Sequence, residues 1–405
     1  MRWWFVGWVV AITAVMVGLK LKPGIPEDLA FLSLHTDCCK VEVSDSSVSQ
    51  IEYQKLPKAG VKEVHAASSV LMRDGSLLTV WYGGSREGAA DVQIYSSRFN
   101  PSDKQDSKDW SEPKILLSPQ QAMHDLGHRI RKLGNPVISL RPDGTLDLYV
   151  VSVSLGGWAG SQVNWMSSTN NGHSWSSLKP LWTSPISNIS TLVKAPPVYF
   201  ENGWIGLPVY HEFVGKFAEF LIMDSNHRIV DKIRLSHRRE ALQPWLAILN
   251  DQQAIAYMRF SGNSKREILQ TLTTQAGVKW GSAIKAGLPN PNSAVTALYW
   301  KNHGMLIVFN RSTDSRRGLS LAFLPEIDPA MVNDLKNPVD KWQVIYSFEE
   351  NLNKKNIDEI KKKIPKLSYP YMVQGNKGFH IFYSYERDFI RHVQISESWL
   401  LKQIE

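Results

Sequence analysis

From Val64 onward the chain repeats one design six times. A small residue or proline opens each unit, and alternating apolar residues follow. A turn then reverses the chain, and a second apolar run ends in an aromatic or polar cluster. The units cover residues 65–82, 135–150, 197–210, 243–259, 291–310 and 369–383. Their turns fall at Asp74-Gly75, Asp143-Gly144, Asn202-Gly203, Asn250-Asp251, His303-Gly304 and Gly375. Period-two alternation puts every second side chain on one face, as in a half-buried strand. Asp-Gly or Asn-Gly between two such runs gives the backbone a tight hairpin. The units recur every ~50–75 residues, a length that suits a four-stranded propeller blade with loop insertions. The expected fold is therefore all-β, a single six-bladed β-propeller over residues 61–400 whose last strand lies near residues 390–395. Two β-sandwich domains are the rival arrangement.

Tryptophans support the repeat. The chain has fifteen, and Trp110, Trp175, Trp280 and Trp342 each stand beside turn chemistry late in a unit. The sharpest case is Ser168-Thr-Asn-Asn-Gly172-His-Ser-Trp175, a polar turn folded by Asn and Gly with an indole to pack between strands. Residues 273–280 are a looser copy.

The chain starts with Arg2, then runs from Trp3 to Leu19 without a charge, before Lys20 and Lys22. Residues 1–22 read as a signal anchor or a signal peptide, and the lack of a small-x-small cleavage site favours the anchor. The bulk of the protein is then exported, either membrane-anchored and facing the periplasm or exterior, or secreted. Residues 23–60 read as a stalk and lead-in. The only cysteines, Cys38 and Cys39, are adjacent, too close for an ordinary mutual disulfide. A net charge of +8 permits nucleic acid, an anionic membrane or an acidic substrate as partner.

One loop concentrates chemistry. Residues 81–91 join two strands and carry Gly83-Gly84, Arg86, Glu87 and Asp91. Arg86 could grip a carboxylate or phosphate through its planar fork of donors, and Asp91 could move a proton. A solvated hairpin loop is the plain alternative.

These features resemble the sialidase (neuraminidase) superfamily, in its bacterial branch with BNR, or Asp-box-like, repeats. Residues 168–175 match the Asp box Ser-x-Asp-x-Gly-x-Thr-Trp, with Asn170 for Asp and Ser174 for Thr. The resemblance implies arginines on the substrate carboxylate, an acid/base aspartate, and a tyrosine nucleophile assisted by a glutamate. A neutral phenol suits an anomeric carbon that carries a carboxylate. By this resemblance Arg86, Arg259 and either Arg316 or Arg317 bind substrate, Asp91 is the acid/base and Tyr369 is the nucleophile. Two positions depart from the pattern. His65-Ala66 stands where a first-blade arginine is expected, leaving His65 to bind a hydroxyl. Gln243 stands where the glutamate falls, with Glu240 and Glu212 as substitute bases.

The function expected from this resemblance is an exo-acting glycosidase that hydrolyses a terminal acidic sugar by a retaining tyrosine mechanism. A non-catalytic glycan-binding propeller is the alternative, and a polyanion or membrane-surface scaffold the third reading. The partners expected are a glycan or acidic sugar and, through the N-terminal segment, a membrane, but no nucleic acid. No cofactor and no metal are expected. His124 and His128 have helical ligand spacing, but no helix of convincing length is read around them. Arg129, Arg131 and Lys194 are read either as cavity charge or as solvated side chains. Residues 351–366, lysine-rich with Ile357, Ile360 and Ile364, read as a short outer helix.

Overall fold

The computed structural model describes residues 24–32, 51–100, 110–184, 188–237, 239–325, 342–349 and 365–405. The strands form six separate antiparallel sheets, a six-bladed β-propeller. Each sequence unit supplies the first two strands of one blade. The first strands are Glu63–Leu71, Lys132–Leu140, the pair Leu192–Val193 and Val198–Tyr199, then Ala241–Ile248, Thr296–Trp300 and Leu367–Gly375. In the third blade the run Lys194-Ala195-Pro196-Pro197 splits the first strand. Proline has no N–H for the ladder, so pairing stops and restarts beyond it. Apolar clusters fill the wedges between neighbouring sheets, such as Leu78, Val80, Ile94, Ile138, Leu146 and Leu148 between blades one and two.

The ring closes through both ends of the described chain. Phe389–Ser396 is the third strand of the last blade, and the fourth is Ile51–Lys55, paired from Ile51 against Ile395 to Lys55 against Arg391. Part of the expected lead-in is thus propeller. Phe31 is another such part: it is fully buried, bridges to Phe200 and stacks on its ring at 5.3 Å. Glu397–Ile404 follows as a helix capped by the Ser396 hydroxyl, which accepts from Trp399 N–H at 3.2 Å. No described helix is long and apolar enough to cross a membrane. Residues 1–22, Cys38, Cys39 and most of 351–366 lie outside the described residues.

The turn at Ser168 to Trp175 closes on its own side chains. Gly172 N–H donates to Ser168 Oγ at 3.0 Å, and Ser174 N–H donates to Asn170 Oδ1 at 2.9 Å. Trp175 packs on the cluster between blades one and two.

A buried ionic clamp joins blades two and three. Arg141 Nε donates to Asp147 Oδ2 at 2.6 Å, its Nη1 donates to the Ser225 carbonyl at 3.0 Å, and His227 Nε2 lies 3.5 Å from the same carboxylate. Asp147 is fully buried. Arg141→Met should lower the free energy of unfolding by about 3 kcal/mol, since it leaves a buried carboxylate without its bidentate partner. Urea unfolding followed by tryptophan fluorescence measures this, and an unchanged midpoint would refute it.

Candidate functional site

One backbone device builds the site. In four blades the first strand carries a bulge near its start, at His65/Ser68, Gly134/Val137, Leu242/Trp245 and Ser368/Tyr371. At each a non-glycine residue has positive φ: Ala66 at 55°, Asn135 at 40°, Gln243 at 49° and Tyr369 at 56°. Three of the four precede a proline, Asn135-Pro136, Gln243-Pro244 and Tyr369-Pro370, and proline tolerates the missing ladder bond that a bulge creates. Such left-handed residues cost ~1–3 kcal/mol each and cluster at functional sites. Here the bulges mark the residues that meet one another.

Gln243 is the hub. Its Nε2 donates to Tyr369 Oη at 3.0 Å and to Tyr210 Oη at 3.3 Å. Its Oε1 accepts from Arg259 Nη1 at 3.1 Å, which fixes the amide's orientation because arginine can only donate. Asn135 Nδ2 reaches Tyr210 Oη from blade two at 3.1 Å. Arg259 Nε donates to Asn292 Oδ1 at 2.6 Å, and Arg316 Nη2 donates to the Asn292 carbonyl at 2.7 Å. One asparagine, itself at φ 57°, thus holds two half-buried arginines from blades four and five. Among the described residues neither arginine has a carboxylate partner. Burial first, and then the charges of Arg259 and Arg387, hold the Arg316 guanidinium below its usual range.

Arg387 is the site arginine that the sequence reading missed. It lies in the last hairpin of blade six at φ 60° and pairs with Glu87. The phenol of Tyr82 is raised well above the usual range, by burial first and then by the charge of Glu87. The signal in the sequence was Tyr385-Glu386-Arg387-Asp388, a polar turn between apolar runs, which turn chemistry alone accounts for.

His65 takes the expected first-blade place. Its ring lies 4.4 Å from that of Tyr369, and its Nδ1 shares a 2.6 Å hydrogen bond with the Ser384 hydroxyl. Burial and the charges of Arg387, Arg316 and Lys194 hold it neutral, well below the ordinary histidine range.

Lys194 is neither solvated nor free to swing. It is buried at the break in blade three, donates to the Pro370 carbonyl at 3.4 Å, and sits over the rings of Trp245, Tyr369 and Tyr371 at 5.5, 5.6 and 5.1 Å. Burial lowers its pKa from 10.5 to about 7. The unfolded chain therefore holds the proton between pH 7 and 10.5 while the folded one does not. Stability should rise with pH through that window, because the cost of burying the ammonium is full below pH 7 and fades above it. The stability difference between the wild type and Lys194→Met should shrink as pH rises from 7 to 10; a difference independent of pH would refute it.

The other expected residues fall elsewhere. Arg86 and Asp91 are exposed on the rim loop, where Asp91 accepts from Ser85 N–H and Ser85 Oγ, both at 2.9 Å. Glu212 N–H is held by Ser190 Oγ at 3.0 Å, and the Glu212 charge acts on Tyr210. The Glu240 carbonyl accepts from Ser261 N–H at 2.8 Å. Neither Glu240 nor Glu212 touches the Tyr369 oxygen; that place is held by Gln243. Arg317 forms a backbone β-bridge with Lys366, and of the two neighbours it is Arg316 whose guanidinium reaches Asn292. His124 lies in a helix the sequence reading left out, Pro119–Leu126, and His128 lies past its C-cap Gly127. Among the described residues no three His, Cys, Asp or Glu side chains converge.

A family profile described as the BNR repeat-like domain matches residues 75–381. The chain belongs to the BNR repeat-like family. Its fold agrees with solved structures at low identity. The Hadza microbial sialidase Hz136 is 15% identical with a TM-score of 0.60, covering 83% of this chain and 66% of that one. The intramolecular trans-sialidase of Ruminococcus gnavus is 11% identical with a TM-score of 0.61, covering 85% and 97%. A protein of unknown function from Dyadobacter fermentans is 12% identical with a TM-score of 0.63, covering 86% and 100%. No protein of curated function matches the sequence. Within the BNR repeat-like fold, the site described here is where inner strands from several blades meet.

Proposed function

We propose that this BNR repeat-like protein binds the acidic terminal residue of a glycan at Arg259, Arg316 and Arg387, without using Tyr369 as a nucleophile. The observation that carries this is Gln243. A retaining tyrosine mechanism needs a base on the phenol oxygen, and an amide that donates its own hydrogen to that oxygen cannot take the phenol's proton. The same amide orients Arg259, so the substitution costs the base and keeps the anion-binding arginine in place. Several charge-assisted bonds on one carboxylate give geometric specificity. The sialidases among the fold's neighbours favour a sialic acid or a related acidic sugar.

Calorimetric titration with free sialic acid and with galacturonic acid, run beside an assay of their chromogenic glycosides, tests this. Binding of an acidic sugar without turnover is expected. Efficient turnover by the wild type would overturn it and favour a second reading, an exo-glycosidase. That reading has its own observation: Glu87, paired with Arg387 and acting by its charge on Tyr82, is a carboxylate beside the arginine cluster that could serve as acid and base, a role the resemblance gave to Asp91.

The uncharged run from Trp3 to Leu19 further supports export and membrane tethering, with the propeller meeting glycans outside the cytoplasm. Fractionation of tagged full-length protein should find it in the membrane or exported fraction; an exclusively cytosolic pool would refute it.

A further inference from the structure

Beside the arginine cluster, between blades one, two and six, a cavity of about 580 Å³ opens on the rim. It is lined by Arg86, Arg131, Lys132 and Arg387, by the carboxylates Glu63 and Glu87, and by Trp158. The charges do not cancel. Arg387 is the partner of Glu87, and the Glu63 carboxylate is turned to the Glu87 N–H, which donates to it at 3.0 Å. Among the described residues Arg86, Arg131 and Lys132 have no carboxylate partner. Lys132 Nζ stands 5.4 Å from the centre of the Trp158 ring.

The indole is placed by its neighbour. It lies over Gly134, where a Cβ would come within 2.7 Å of its Cη2, so only glycine there lets Trp158 lie against the strand. The ring remains half-exposed. A half-exposed aromatic face beside unpaired cations matches a sugar ring that itself carries an anion: the ring stacks, and the charge meets the guanidinium groups. Arg387 faces both places, since it lines this cavity and its charge also acts on Arg316 and His65.

We infer that the rim cavity is a second subsite, and that it takes the next acidic residue of a polyanionic glycan whose terminal residue lies on Arg259 and Arg316. This rests on the reading of the arginine cluster as an acidic-sugar site. It makes the ligand a chain of acidic sugars, in contrast to a single acidic cap on a neutral glycan.

The test compares two series, free sialic acid with its linear trimer, and galacturonic acid with its linear trimer, by calorimetric titration of the full chain. In the series that binds, the trimer should bind at least ~10-fold more tightly than the monosaccharide. Arg131→Ala with Lys132→Ala, and separately Trp158→Ala, should each remove most of that gain and leave monosaccharide affinity unchanged. Arg131 is exposed and Lys132 and Trp158 are half-buried, and matching melting temperatures would establish that the variants fold. Asp143→Ala, on the turn of blade two, serves as a surface control. A trimer no tighter than the monosaccharide, or a gain that survives both rim variants, overturns the second subsite and leaves the terminal site standing. Failure of every ligand to bind the wild type overturns both. Raising the salt concentration should weaken the trimer more than the monosaccharide, because more unpaired cations are engaged.

Discussion

Arg259→Ala should reduce affinity for an acidic monosaccharide by between ~30-fold and ~5 × 10³-fold, the range for truncating one partner of a buried charge pair. The physical reason lies in how the guanidinium is held. Asn292 takes its Nε and Gln243 takes its Nη1, so its remaining donors point in a fixed direction with little freedom left to lose on binding. Its removal also frees Gln243, which would turn on its bonds to Tyr369 and Tyr210. Arg259→Lys should restore little, because a single ammonium cannot bond Asn292, Gln243 and a ligand carboxylate in the same geometry. Isothermal titration of the three proteins decides the matter. Affinity within twofold of the wild type for Arg259→Ala would remove this arginine from the site.

The second large effect is a gain. Gln243→Glu should raise turnover of chromogenic acidic glycosides at least ~10²-fold over the parent, the low end for a positioned general base. A carboxylate at that position would accept the Tyr369 hydroxyl proton where the amide now donates, and Arg259 would hold it ionised. The double variant Gln243→Glu with Tyr369→Phe should fall back to the parent rate, since the base would have no phenol to act on. If Gln243→Glu gained nothing while still binding sugar, the amide would not be what keeps Tyr369 from attacking, and the exposed position of Asp91 would become the next explanation.

Much of this was legible in the order of residues. Six strand–turn–strand units with a period of two led to six sheets, because half-buried strands record burial directly in their alternation. The resemblance placed Arg259, Gln243 and Tyr369, and all three lie in one hydrogen-bonded group. The blade-closing strand was not legible. Ile51–Lys55 has the short, mixed pattern of an edge strand, and nothing local marks that it pairs with Phe389–Ser396 at the far end of the chain.

The site divides in the same way. Residue type is a property of the sequence, so the exchange of a base for an amide at Gln243, and of an arginine for His65, could be read before any fold was known. Which groups face one another is a property of the closed ring. Arg316 and Arg317 are neighbours with the same charge, and only the hydrogen bond to the Asn292 carbonyl singles out Arg316 as the one whose side chain is at the site. Arg387 and Glu87 are 300 residues apart in the chain and become partners only when the sixth blade meets the first. Lys194, just ahead of two prolines, reads equally as cavity charge or as a solvated lysine until blade three packs it against Trp245, Tyr369 and Tyr371. The local alternation of side chains determined that this chain makes six blades. The inter-blade packing, which brings distant charges into a place with little water, decided which of its arginines, lysines and carboxylates act together.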